Sequence, residues 1–143
     1  MKRLMFIIIA VILVISMLTG CSNEPVVQND STIITNDVFK ITVPEDWPEK
    51  IHLSFTDKSI NIYHKASQEA GYGGWLVSIS TYEDDVYKEM PSYEVILEDN
   101  DKFYVAEYPS DVQADVENEE SMKEYFEMFG QLPEIIKTFK LVN

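Results

Sequence analysis

Two short segments, Ile51-His52-Leu53-Ser54-Phe55 and Ile60-Asn61-Ile62-Tyr63-His64, flank the polar stretch Thr56-Asp57-Lys58-Ser59. No other feature constrains the fold as strongly. Folding about Asp57-Lys58 sets Phe55 opposite Ile60, Leu53 opposite Ile62 and Ile51 opposite His64, while Ser54 meets Asn61 and His52 meets Tyr63. One face is then apolar and the other polar, and a slip of one residue would mix them, so the register is specified. Asp-Lys is not the favoured chemistry for a two-residue turn, which leaves room for a wider loop with the same pairing. The register also sends the chain's two histidines, His52 and His64, to opposite faces, so they do not share a metal. A histidine zinc site needs three convergent protein ligands, and no metal or other cofactor is expected.

Other segments extend the pattern. Phe39-Lys40-Ile41-Thr42-Val43 alternates apolar and polar residues with the period of a strand, and Pro44-Glu45-Asp46-Trp47-Pro48 reads as a turn closed by an aromatic plug. Gly74 to Tyr82 alternates through Trp75, Val77 and Ile79. Tyr93 to Leu97 and Phe103 to Tyr108 form a second hairpin around Asp99-Asn100-Asp101, where a three-residue loop pairs Leu97 with Phe103, Val95 with Val105 and Glu98 with Lys102. The C-terminus changes period. Met122, Tyr125, Phe126 and Phe129 recur at helical spacing, as do Leu132, Ile135, Ile136 and Phe139 after a break at Gly130-Gln131. The expectation is an α+β fold: an antiparallel sheet of about five or six strands, one face covered by C-terminal amphipathic helices.

At the other end, Lys2 and Arg3 precede an apolar run from Leu4 to Leu18 that closes on Leu18-Thr19-Gly20-Cys21. A charged start, a short apolar core and small residues at the cut make an export signal. The run falls short of the ~20 residues that span a bilayer, and no basic cluster follows it. Its last four residues resemble the lipobox of bacterial lipoprotein signal peptides. That resemblance implies a diacylglyceryl group on the Cys21 sulfur, cleavage before it, and anchoring at the extracytoplasmic face of the cell membrane. Cys21 is the only cysteine, so no disulfide is available and stability rests on an apolar core. Two acyl chains suffice for lasting attachment. The organisation read from the chain is a signal peptide over 1–20, a lipidated Cys and flexible tether over 21–37, and one domain over 38–143.

Lys2 and Arg3 are the only charged residues of the first twenty, so their loss leaves nine cations against 25 acids, a formal charge of −16. Nucleic acid, whose binding needs clustered cations, is excluded as a partner. Anionic headgroups repel the domain too, though only within a Debye length of about 8–10 Å. A tether of some fifteen residues reaches roughly 20 Å, beyond that field.

The pattern Phe39-x-Ile41-x-Val43-Pro44-x-x-Trp47, the central strands and the closing Lys137-Thr138-Phe139 resemble the small PsbP/Mog1-type domain with its α-β-α arrangement. Tyr104-Val105-Ala106-Glu107-Tyr108-Pro109-Ser110-Asp111-Val112-Gln113 is similar to a stretch in acidic lipoproteins of Gram-positive bacteria. The resemblance covers roughly residues 38–141. It implies an assembly factor or binding adaptor and carries no catalytic residue across.

Individual motifs point to weak candidate sites. Gly71-Tyr72-Gly73-Gly74-Trp75 offers Tyr72 and Trp75 for ligand stacking, or is simply a flexible lead into a strand. Glu83-Asp84-Asp85 and Glu98-Asp99-Asn100-Asp101 offer oxygens to Ca²⁺, but the second lacks the Gly and Glu of an EF-hand; solvated loops are the plainer reading. Ser110 as a nucleophile with His52 or His64 as base lacks the Gly-x-Ser-x-Gly elbow, and turn or capping chemistry accounts for it. Tyr63 beside His52 on the polar sheet face suggests a recognition patch. The function these residues suggest is a non-enzymatic, membrane-anchored binding or assembly module with an envelope protein as partner. The alternative is a lipoprotein that binds a small molecule or divalent cation.

Overall fold

Alternation of apolar and polar residues builds most of this protein. The computed structural model describes residues 26–28 and 31–142; the expected signal peptide and Cys21 lie outside them. Strand β1 (Val26–Gln28) pairs with β2 (Ser31–Thr35), which pairs with β3 (Phe39–Pro44). A short helix α1 (Trp47–Lys50) leads into the hairpin of β4 (Ile51–Phe55) and β5 (Ser59–His64), followed by helix α2 (Lys65–Glu69) and the long strand β6 (Trp75–Tyr82). A 3₁₀ turn at Val86–Glu89 precedes β7 (Tyr93–Asp99) and β8 (Lys102–Glu107). Helix α3 (Glu119–Ile136) and β9 (Lys140–Leu141) complete the described chain.

The strands form two antiparallel sheets, ordered β1-β2-β3-β9 and β4-β5-β6-β8-β7. The expected single sheet is therefore divided, and β9 closes the smaller one by pairing Phe39 with Leu141. Ile34, Phe39, Ile41 and Val43 from the smaller sheet meet Ile60, Ile62, Ile79 and Tyr104 from the larger one, with Tyr125, Met128, Leu132, Ile135 and Ile136 of α3, in a common core. The fold is α+β, with α3 on the inner face of the larger sheet.

The β4–β5 register is the one the sequence dictates, Ile51 with His64 through Phe55 with Ile60. Three expectations are corrected. The composition predicts a tether through residue 37, yet Ser31–Thr35 is a strand with Thr32 and Ile34 fully buried, and Asn36 closes the turn by accepting from the N–H groups of Val38 and Phe39. Its Ser/Thr-rich composition concealed an alternating strand. The second hairpin pairs Asp99 with Lys102 and Glu98 with Phe103. Asn100 and Asp101 both take positive φ, 49° and 60°, the signature of a two-residue type I′ turn; the residue removed from the loop reappears as a bulge at Ile96. Finally, the C-terminus is one helix. Gly130 and Pro133 both lie inside it, because packing along its length outweighs their local cost. Its N-terminus is capped by Asn118, whose side chain accepts from the Ser121 N–H.

Among the described residues, no helix is long and apolar enough to cross a membrane.

Because Ile34 belongs to the core, Ile34→Ala should lower the unfolding free energy by about 2–5 kcal/mol in urea titrations. A tether residue would show no change.

Candidate functional site

The residues singled out by sequence fall into three separate places. His52, Tyr63 and Trp75 are directly opposite one another across β4, β5 and β6. They form a row on the face of the large sheet that points away from α3. Ser54, Asn61 and Ser78 form the next row. Hydrogen bonds stitch it together: Trp75 Nε1 donates to Ser78 Oγ at 2.9 Å, Ser78 Oγ donates to Asn61 Oδ1 at 2.6 Å, and Asn61 Nδ2 donates to the Ser54 carbonyl at 3.2 Å. His52 is exposed, with Nδ1 2.7 Å from Gln68 Oε1. The other half of this face, toward β7, is covered by the 3₁₀ turn, whose Tyr87 packs against Tyr82, Tyr93 and Phe103. Burial, then the hydrogen bond to Glu107, pushes the Tyr82 phenol up to about 12.

Tyr72 is not part of that row. It sits in the glycine turn beside the segment leading to α3, where desolvation and then Glu117 raise its phenol pKa. Gly74 answers a packing demand. Gly74 has φ +68°, and a Cβ there would collide with the His64 carbonyl and approach the Gln68 N–H nitrogen to 2.8 Å.

His64 has no exposed surface and joins four elements. Its Nδ1 lies 2.8 Å from Ser67 Oγ, which itself accepts from the Asp115 N–H at 2.9 Å. Its Nε2 is 2.9 Å from Glu124 Oε1. Lys50 bridges Glu124 Oε2 at 3.4 Å and Asp46 at 2.7 Å. With Nδ1 also accepting from the Ser67 N–H to cap α2, the network assigns the Nε2–H tautomer. Ser67, His64 and Glu124 share the composition of a catalytic triad, but Ser67 and His64 are both sealed from solvent. No substrate reaches a nucleophile here, and the chain of bonds acts as a structural pin. Ser110 is exposed and far from this role, for His64 is committed to Ser67 and Glu124 and His52 to Gln68. Among the described residues no three His, Cys, Asp or Glu groups converge to hold a metal.

The feature most suited to binding was not singled out from the sequence. Four rings, Tyr108, Phe129, Tyr125 and Phe126, form a ladder along α3, with successive centroids 6.2, 6.1 and 5.6 Å apart. They line two adjoining clefts of about 150 and 340 Å³ that share Pro109 and Phe129. The walls are the Pro109–Val112 segment and, beyond it, Ser92 and Glu94. Phe126 is 47% exposed and Val112 57%, so apolar surface meets water at one end of the groove. Glu94 accepts from the Tyr108 hydroxyl at 3.2 Å; burial, then the Glu94 charge, drives that phenol far up. The sequence placed Phe126 in the helix stripe, but the buried stripe runs through Ser121, Tyr125, Met128 and Leu132. A signal was present: Met122, Tyr125, Phe126, Met128 and Phe129 together span an arc wider than one core-facing stripe.

No family model, curated protein or solved structure matches this chain.

Partial burial raises the Glu124 carboxyl, and the hydrogen bonds from His64 and Lys50 more than offset it, so its pKa is lowered from 4.5. A depressed carboxylate stabilises the fold at neutral pH, and that contribution is lost as pH falls through the lowered value. Glu124→Gln should thus reduce stability at pH 7 and flatten the decline between about pH 5 and pH 2, read from urea midpoints across that range.

Proposed function

We propose that this protein is a lipoprotein held by lipid on Cys21 at the extracytoplasmic face of the cell membrane, and that its domain is a non-enzymatic binding or assembly module for another envelope protein. The observation that carries this reading is the groove along α3, whose aromatic ladder ends in the exposed Phe126 and Val112. Large aromatic side chains beside a preformed cleft are the surfaces where binding energy concentrates in protein interfaces. The lipobox-like Leu18-Thr19-Gly20-Cys21 supports the anchor. The PsbP/Mog1-type pattern around Phe39 to Trp47 supports an adaptor role. Burial of Ser67 and His64 argues against hydrolysis.

A second reading is favoured by the row of His52, Tyr63 and Trp75 on the outer sheet face, which offers rings and hydrogen-bonding groups to a small molecule. Tyr63→Ala and Trp75→Ala test it by their effect on thermal shifts produced by envelope metabolites.

The main reading is tested by crosslinking in intact cells. A discrete envelope protein should co-purify with the native chain and be lost with Cys21→Ala, which cannot be lipidated. Equal recovery with both would remove the anchor from the reading, and recovery of neither would remove the partner.

A further inference from the structure

The groove has a chemical character that narrows its occupant. Its floor is aromatic, and its two ends carry carboxylates, Asp111 beside Val112 and Glu94 beside Tyr108. Among the described residues, neither carboxylate has a Lys, Arg or His nitrogen within 4.0 Å, a state they share with most acids of this strongly anionic chain, so both ends of the groove keep their negative charge uncompensated. Glu94 accepts the Tyr108 hydroxyl hydrogen bond through Oε2, which leaves Oε1 for a donor from outside.

Length sets a second limit. The helical side of the two clefts runs from Tyr125 to Pro133, which at a rise of 1.5 Å per residue is about 12 Å. An extended chain covers that distance in about four residues. The charge of the whole protein sets a third. A second copy of this chain would bring like charge to both ends, and an anionic lipid surface would do the same.

We infer that the groove receives an extended segment of a cationic partner protein, one large apolar side chain of which packs between Phe126 and Val112 while flanking Lys or Arg side chains pair with Asp111 and Glu94. This rests on the binding-module reading and names the partner's chemistry. The apolar contact supplies most of the affinity. The charges fix the register and speed encounter.

The test uses the full-length lipidated protein in detergent micelles and a fluorescein-labelled decapeptide of Gly and Ser carrying one Phe flanked by pairs of Lys. Its counterparts carry Glu in place of Lys, or Ser in place of Phe. The Lys-flanked Phe peptide should bind at least about tenfold more tightly than either counterpart, and less tightly as salt rises. Phe126→Ser and Asp111→Lys should each weaken it by about tenfold or more. Glu83→Lys, an equal charge change away from the groove, should weaken it much less. Phe126 is half exposed, so thermal unfolding of Phe126→Ser should stay close to native and separate lost binding from lost folding. Equal affinity for the Glu-flanked peptide, or full binding by Phe126→Ser, overturns the inference. So does binding of phosphatidylglycerol vesicles that depends on Phe126.

A photoreactive residue placed at Phe126 or at Tyr63 and irradiated in cells separates the two levels. A partner captured from position 126 that the Lys-flanked peptide displaces supports the inference. One captured from position 63 alone overturns the groove and leaves the binding-module reading standing. Capture from neither position overturns both.

Discussion

The seating of α3 on the large sheet governs the rest of the molecule, and two adjacent residues set it. Glu124 reaches His64 on β5 and Lys50 at the end of α1. Tyr125 donates its hydroxyl to the Trp75 carbonyl on β6 at 2.8 Å and stands edge-on to the His64 ring. Because these contacts are directional, they set the rotation of the helix about its axis, which hydrophobic burial alone leaves loose. Tyr125, Met128 and Leu132 then face the core, and Phe126 is turned out beside Val112. The groove is a consequence of that rotation.

The same pin encloses the Ser67 hydroxyl and the His64 ring, which with Glu124 have the composition of a hydrolase triad. Ser67 accepts from a backbone N–H and holds the ring of His64, and both are enclosed. Buried polar groups of this kind are costly unless every member is satisfied, and here each has a partner. Their work is to tie α2, β5, α3 and the Asp115 segment together without a disulfide.

Much of the local structure was legible because it depends on short-range patterns. The Ile51–His64 hairpin needed only alternation and a turn, and its pairing followed residue by residue. The opposite orientation of His52 and His64 came from the same register, as did the neighbouring positions of His52 and Tyr63. The type I′ turn at Asn100-Asp101 was partly visible: the residue types were right for positive φ, but the bulge at Ile96 that shifts the pairing has no local mark. Ser31–Thr35 reads as a linker in sequence because its Ser and Thr residues mark a strand only once the partner strand is known. Continuity of α3 through Gly130 and Pro133 was hidden for a similar reason, since propensity at one position yields to packing along eighteen residues.

The candidate site divides in the same way. Alone, the sequence determined the strands, the amphipathic character of the C-terminal helix, the strong negative charge and the absence of a second cysteine, all of which follow from residue type and spacing. Tertiary structure alone decided that the strands part into two sheets, that the smaller sheet reaches back to Val26, and which flank of α3 stays open. Those outcomes depend on contacts between residues far apart in the chain, such as Trp75 with Tyr125 and His64 with Glu124. Periodicity along one segment says that a face will be buried; only the partner's shape and hydrogen bonds choose how far around the helix that face extends.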